Sequence, residues 1–322
     1  MKFRPLGRTG LTVSALSLGT VSLGLDYGMP APGAFEHPTE DEAIRIIHGA
    51  LDRGVTLIDT APAYGSAERS VGFAAGRDPR AIVATKVALP AGSYVASAFS
   101  TAEALAGVVR RTVDSSLESS LRALKRDVID ILQIHNATRE MIAEGAITHA
   151  LVEARQRGLV RVLGASVYDS DAALAVIASG AYGVLQVAFN VLDQRMMREV
   201  IPAADAAGIG VVVRSALLKG ALTPKAEWLP EPLGALRESA VRARDMLAGG
   251  LWERLPEAAL RFCLTAPHVA SVLTGARTHR ELEAAVAAEA AGPLDAEMMA
   301  RATSLAMNDD ALLNPSRWPS IP

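Results

Sequence analysis

The stretch Val55-Thr56-Leu57-Ile58-Asp59-Thr60-Ala61-Pro62-Ala63-Tyr64-Gly65 opens as a short apolar run and breaks off at an aspartate, a proline and a glycine. An apolar run of roughly 4–8 residues with turn residues beyond it reads as a buried strand, because a helix needs a longer run with a 3.6-residue period. Residues 81–84 before Thr85-Lys86, and 128–134 before His135, are built the same way. Each run delivers a reactive side chain at or just past a strand's end. In a parallel barrel the C-terminal ends of the strands converge on one mouth, so this placement points Asp59, Tyr64, Lys86 and His135 at one spot.

Outward from these runs, β-rich segments recur near 15–20, 56–60, 81–87, 128–134, 160–166, 184–189, 209–215 and 270–275, eight in all. Amphipathic stretches at 41–53, 101–124, 147–157 and 170–179 lie between them, several opened by Ser, Thr or Asp as N-caps. Such alternation predicts βαβ units on a parallel sheet. A doubly wound sheet alternates in the same way, but a dinucleotide-binding Rossmann domain carries G-x-G-x-x-G after its first strand, where this chain has none. Residues 11–25 alternate apolar residues with Ser and Thr, which suits a hairpin strand feeding a first barrel strand better than a signal peptide. The expected fold is an α/β (β/α)8 TIM barrel with an N-terminal β-hairpin and long βα loops, a single domain over residues 1–322, since such barrels commonly pass ~250 residues. The long connections at 21–40, 88–100 and 217–240 follow strands and rise on the reactive face. The Pro-rich stretch 223–233 and the tail 308–322 read as irregular.

The motifs D-T-A-P-A-Y-G at 59–65, A-T-K-V at 84–87 and I-D-I-L-Q-I-H-N at 129–136 stand in the order in which the aldo-keto reductases carry theirs, and the chain resembles that family. The resemblance runs from the hairpin-like Phe3-Arg4-Pro5-Leu6-Gly7-Arg8-Thr9-Gly10-Leu11 to Gly275-Ala276-Arg277. It implies a catalytic tetrad of Asp59, Tyr64, Lys86 and His135. Reducing a carbonyl by hydride leaves an alkoxide that needs a proton, and Tyr64 supplies it if its phenol is more acidic than the usual ~10. Lys86 is expected to provide that acidity, Asp59 to keep Lys86 charged, and His135 to orient the carbonyl by a hydrogen bond. Singly, each residue has an innocent reading: Asp59 as a turn cap, His135 as a core histidine, Tyr64 as a loop aromatic. Lys86 resists one, because a lysine ending an apolar strand needs a partner or a solvated cleft.

The same resemblance implies NADP(H) as cofactor, with NAD(H) a real alternative. Gly19 and Thr20 end the first strand and are assigned to it together with Asp59. Gly164-Ala165-Ser166-Val167 and Gln186-Val187-Ala188-Phe189-Asn190 look like the family's carboxamide-binding segments, with Ser166 and Gln186 as contacts; Val167 stands where an asparagine is expected. Arg214 replaces the aromatic that stacks on the nicotinamide, and either stacks there itself or reaches phosphate or substrate. Ser215, Leu217 and Lys219 follow at the pyrophosphate. Gly275, Ala276 and Arg277 open the last helix, where free N–H groups favour an anion. Glu281 occupies the position at which a cation would meet a 2′-phosphate, with Arg277 and Arg280 near enough to compensate.

Half of the residues are hydrophobic and only 4% aromatic, so the core must be built from Ala, Val, Leu and Ile. Lys plus Arg total 32 against 35 for Asp plus Glu, with no block of like charge, which gives nucleic-acid binding no support. No run reaches the ~18 apolar residues of a membrane span. The single cysteine, Cys263, is read as a buried thiol and fits a reducing, cytoplasmic compartment. No metal site is assigned. Substrate contacts are sought at Tyr27 in Asp26-Tyr27-Gly28-Met29, at 94–99, and at Asn136, Trp228 and Trp318. The activity expected is NAD(P)H-dependent reduction of aldehydes or ketones, or the reverse, on a small carbonyl or sugar. Three other readings stay open: an aldose 1-dehydrogenase of the same family, a Schiff-base lyase using Lys86, and a cofactor-sensing binding subunit similar to those of potassium channels. Oligomeric state is not legible.

Overall fold

The computed structural model describes residues 1–31, 36–89 and 101–319; the candidate substrate stretch 94–99 lies outside them. Strands β1 (Phe3–Pro5) and β2 (Thr12–Ser14) pair antiparallel as a hairpin. The other strands are β3 (Leu16–Gly19), β4 (Leu57–Asp59), β5 (Ile82–Val87), β6 (Ile129–Ile134), β7 (Val160–Val167), β8 (Val184–Ala188), β9 (Gly210–Arg214) and β10 (Val269–Thr274). These eight are parallel and close into a barrel in the order β10-β3-β4-β5-β6-β7-β8-β9, with helices in the connections. The (β/α)8 barrel and its N-terminal hairpin are as expected.

The helices Glu40–Asp52, Ala102–Leu124, Ala146–Gln156 and Ser170–Ser179 fall within one residue of the expected spans. Thr39, Thr101 and Asp169 accept backbone N–H bonds as their caps, or as those of their helices, and Thr39 with Glu42 forms a capping box. Two stretches read as irregular are more ordered than that. The segment 223–233 holds 3-10 turns at Pro224–Trp228 and Glu231–Leu233, and the tail holds a helical turn at Asp310–Leu313. Thr223 and Asp309 cap the first and last of these, but each is too short to display a helical period. No described helix is long and apolar enough to cross a membrane.

Two apolar cores result from strands buried on both faces. The larger lies between barrel and helices. The smaller fills the barrel with Leu57, Ala84, Ile131, Val162, Val184, Val212, Ala270 and Leu273, closed from below by Leu6 and Val13 of the hairpin. Leu6 and Val13 are wholly buried. The hairpin comes so close that a Cβ on Gly210 would lie 2.6 Å from Leu6 Cδ1, while Gly7, at φ +56°, has backbone of Gly210 2.4 Å from where its Cβ would be. Only glycine fits both positions.

Candidate active site

Two residues beyond Leu57, Ala84, Ile131, Val184 and Val212 on their strands stand Asp59, Lys86, Gln133, Gln186 and Arg214. The two-residue period of a strand aims these polar side chains into the barrel, one layer above its apolar filling. Register aligns Lys86 with Gln133, and Asp59 with Ala84. Lys86 Nζ donates to Asp59 Oδ2 at 2.6 Å and to the Thr60 carbonyl at 2.9 Å. Asp59 Oδ1 accepts from Gln186 Nε2 at 2.8 Å and Gln133 Nε2 at 3.1 Å. Ser166 Oγ donates to Gln186 Oε1 at 3.2 Å. Gly164 makes room for this layer, since a Cβ there would stand 2.9 Å from Gln133 Cγ.

Above the buried pair, Lys86 Nζ lies 4.9 Å from the centroid of the Tyr64 ring. Tyr64 and His135 meet edge to face, with centroids 5.7 Å apart and planes at 86°. The four expected residues are thus brought together. Lys86 is 1% and Asp59 3% exposed. Burial opposes the Lys86 charge, but Asp59 and Tyr64 outweigh it and hold the ammonium above the ordinary lysine range. Burial pushes the Tyr64 phenol up by more than Lys86 pulls it down, so Tyr64 sits above the usual tyrosine value. The lysine acts in the expected direction; the net acidification does not follow, because desolvation of a phenolate is the larger effect. Burial and then Lys86 depress His135 to about 4, leaving a neutral imidazole at physiological pH.

A cavity of about 910 Å³ opens over these groups. At one end it is lined by Asp59, Tyr64, His135, Asn136 and Tyr27; it continues past Gly19, Thr20, Gln186, Arg214, Ser215, Leu217 and Lys219 to Gly275, Arg277, Arg280 and Glu281. Most residues assigned to cofactor therefore share one surface. Ser166 and Ala276 do not line it: Ser166 orients Gln186 instead, and Ala276 is wholly buried. Trp228 is 53% exposed and away from the lining, because Pro224 and Lys225 take the cavity side of its 3-10 turn. Trp318 is buried with Nε1 on the Leu312 carbonyl, and Asp26 is turned to His37. Arg214 lies over the ring of Tyr168, 4.0 Å from its centroid. At the far end Glu281 Oε2 accepts from Arg277 N at 2.7 Å, and the Arg277 guanidinium donates to the Tyr27 carbonyl.

Gln133, Thr60 and Tyr168 were not singled out by sequence. Gln133 carried a readable signal, a lone amide two residues beyond Ile131 on the inward alternation of its strand. Thr60 acts through its carbonyl, which no side-chain pattern reports. Among the described residues, no cluster of His, Cys, Asp and Glu suits a metal ion.

A model of the aldo/keto reductase family matches residues 15–307. The chain is similar to L-galactose dehydrogenase of Arabidopsis thaliana, 29% identical over 343 aligned positions that cover 99% of this chain and 98% of that one. It is also similar to NADH-specific methylglyoxal reductase of Escherichia coli K12, 30% identical, covering 89% of this chain and 93% of that one. Among solved structures, the holo form of aldo-keto reductase AKR11C1 from Bacillus halodurans superposes with a TM-score of 0.74 at 28% identity, covering 99% of this chain and 100% of that one.

Proposed function

This chain belongs to the aldo/keto reductase family of oxidoreductases, and on that premise we propose that it interconverts a carbonyl, in an aldehyde, ketone or sugar hemiacetal, with its alcohol, using Tyr64 as general acid–base. The carrying observation is the buried Lys86–Asp59 pair set directly beneath Tyr64, with a neutral His135 at the edge of its ring. In the reduction direction Tyr64, protonated at neutral pH, donates its phenolic proton to the nascent alkoxide. Lys86 then steadies the phenolate, and a neutral His135 N–H holds the carbonyl oxygen. In the oxidation direction Tyr64 must first lose its proton, so that rate is expected to climb with pH. A Schiff-base role for Lys86 fits less well, because an ammonium bound to Asp59 and Thr60 has no lone pair to attack with. L-galactose dehydrogenase and methylglyoxal reductase, similar over most of their lengths, are named for the two directions of this chemistry.

A nicotinamide dinucleotide suits the cavity. Its walls carry Lys219, Lys225, Arg277 and Arg280, and the buried Ser22 Oγ beside Gly275 has no hydrogen-bond partner among the described residues. An elongated polyanion would engage such cations and satisfy that hydroxyl. When bound, the dinucleotide supplies or accepts the hydride. Tyr64→Phe is the test: cofactor affinity by fluorescence titration should stay within about 2-fold while turnover falls by about 100-fold or more. Near-normal turnover in Tyr64→Phe removes Tyr64 from the chemistry.

A further inference from the structure

The charges lining the cavity are not balanced at its reactive end. Asp59 is taken up by Lys86, Gln133 and Gln186. Glu281 is held on the Arg277 backbone, Glu257 pairs with Arg261, and the remaining acidic lining residue, Glu253, is exposed to solvent on the 3-10 turn Trp252–Arg254. Arg214 forms no ion pair among the described residues. The guanidinium is nonetheless fixed. It lies over Tyr168 and donates through Nη2 to the Val167 carbonyl at 2.8 Å and through Nη1 to Ser215 Oγ at 3.2 Å. Of the five N–H donors of an arginine, those two bonds leave three. Its charge reaches the reacting groups, lowering the proton affinity of both Tyr64 and His135. The other lining cation at this side, Lys219, stands beyond the turn that follows β9, its ammonium 5.7 Å from the ring centroids of Tyr27 and Trp318, and unlike Arg214 it does not act on the proton affinity of Tyr64 or His135.

We infer that the substrate carries a carboxylate close to its carbonyl and that Arg214 receives it, so that the class served is oxo-acids and related acidic carbonyl compounds. The inference rests on the reading of the site as a carbonyl oxidoreductase and narrows it. A half-buried cation with no anion among the described residues is costly, and a guanidinium with its plane and two donors already fixed accepts a carboxylate with little further ordering. The carbonyl then lies over Tyr64 and His135 while the carboxylate lies on Arg214.

The test pairs acidic and neutral substrates that differ only by carboxylate against methyl: 4-oxobutanoate with butanal, and 2-oxobutanoate with butanone. The acidic member of at least one pair should have kcat/KM about 10- to 100-fold above its partner, the size of a charge-assisted bond. That ratio should fall to about 1 in Arg214→Leu and survive in part in Arg214→Lys; being internal to each variant, it is insensitive to the fraction folded. A ratio unchanged in Arg214→Leu overturns the inference. Calorimetric titration of the cofactor-loaded protein with succinate and succinamide reads the same contact without turnover. Succinate binding that disappears in Arg214→Leu supports the site even if no carbonyl is reduced, an outcome that would sink the oxidoreductase reading alone. Equal binding of succinate and succinamide overturns the anion site whatever the activity.

Discussion

At Lys86 a full charge is kept in the barrel at 1% exposure, which is tolerable only because Asp59 and the Thr60 carbonyl meet it within 3 Å. Removing one partner strands the other. Lys86→Met is therefore expected to lose about 3–5 kcal/mol of stability in urea unfolding as well as at least about 100-fold in turnover. The double variant Asp59→Leu/Lys86→Met should regain much of the stability and none of the turnover; a Lys86→Met protein with full activity would break the link to Tyr64. His135 makes a separate claim on pH. It is held at about 4 in the folded chain against about 6.5 when unfolded, so the unfolded chain binds the extra proton first. Its contribution to stability is complete above about pH 6.5 and is lost as pH falls toward 4. Denaturation midpoints measured across that window should decline less steeply in His135→Gln, and an identical decline would mean that His135 is not the group titrating.

The helix His279–Ala290 is the element at which a cofactor preference is expected to be set. Thr278 caps it by accepting from Glu281 N at 3.1 Å, and Glu281 reaches back to Arg277 N, so a carboxylate is fixed where the helix start would otherwise present only positive potential. A 2′-phosphate at that end meets Glu281 as a like charge, eased by Arg277 and Arg280. Glu281→Arg should shift the ratio of kcat/KM for NADPH over NADH upward by on the order of 10-fold, or ~1.4 kcal/mol, and Arg277→Ala should shift it downward. A ratio unmoved in both variants places the phosphate elsewhere. Elements of this kind were legible because caps and periods are local: the four amphipathic helices and all eight barrel strands sit where the sequence put them, to within about two residues. What escaped was non-local or backbone-borne. Nothing near residue 228 says that Pro224 and Lys225 will claim the cavity side of the turn, and nothing near residue 214 says that its guanidinium will meet Tyr168 from another strand end.

Across the whole molecule the barrel separates two tasks along five of its strands: apolar residues near the hairpin close one end, and two positions further on polar residues build the other. The tetrad was readable before the fold was known because a parallel barrel turns distant strand ends into neighbours, whereas the net proton affinity of Tyr64 was not, since it depends on how deeply the assembled mouth is buried. This division carries a prediction. Leu6 plugs the lower end, wholly buried against the filling formed by Leu57, Ala84 and Ile131 and pressed onto Gly210. Truncating it leaves a cavity that the hairpin cannot collapse into, because the backbone at Gly7 and Gly210 is already in contact. Leu6→Ala should therefore cost about 2–5 kcal/mol in urea unfolding while cofactor affinity and kcat, measured well below the melting temperature, stay within about 2-fold. A loss below about 1 kcal/mol would mean that the hairpin is a loose cover, and a kcat that falls with stability intact would mean that the two ends of the barrel are coupled through Leu57 and Ala84 to Asp59 and Lys86.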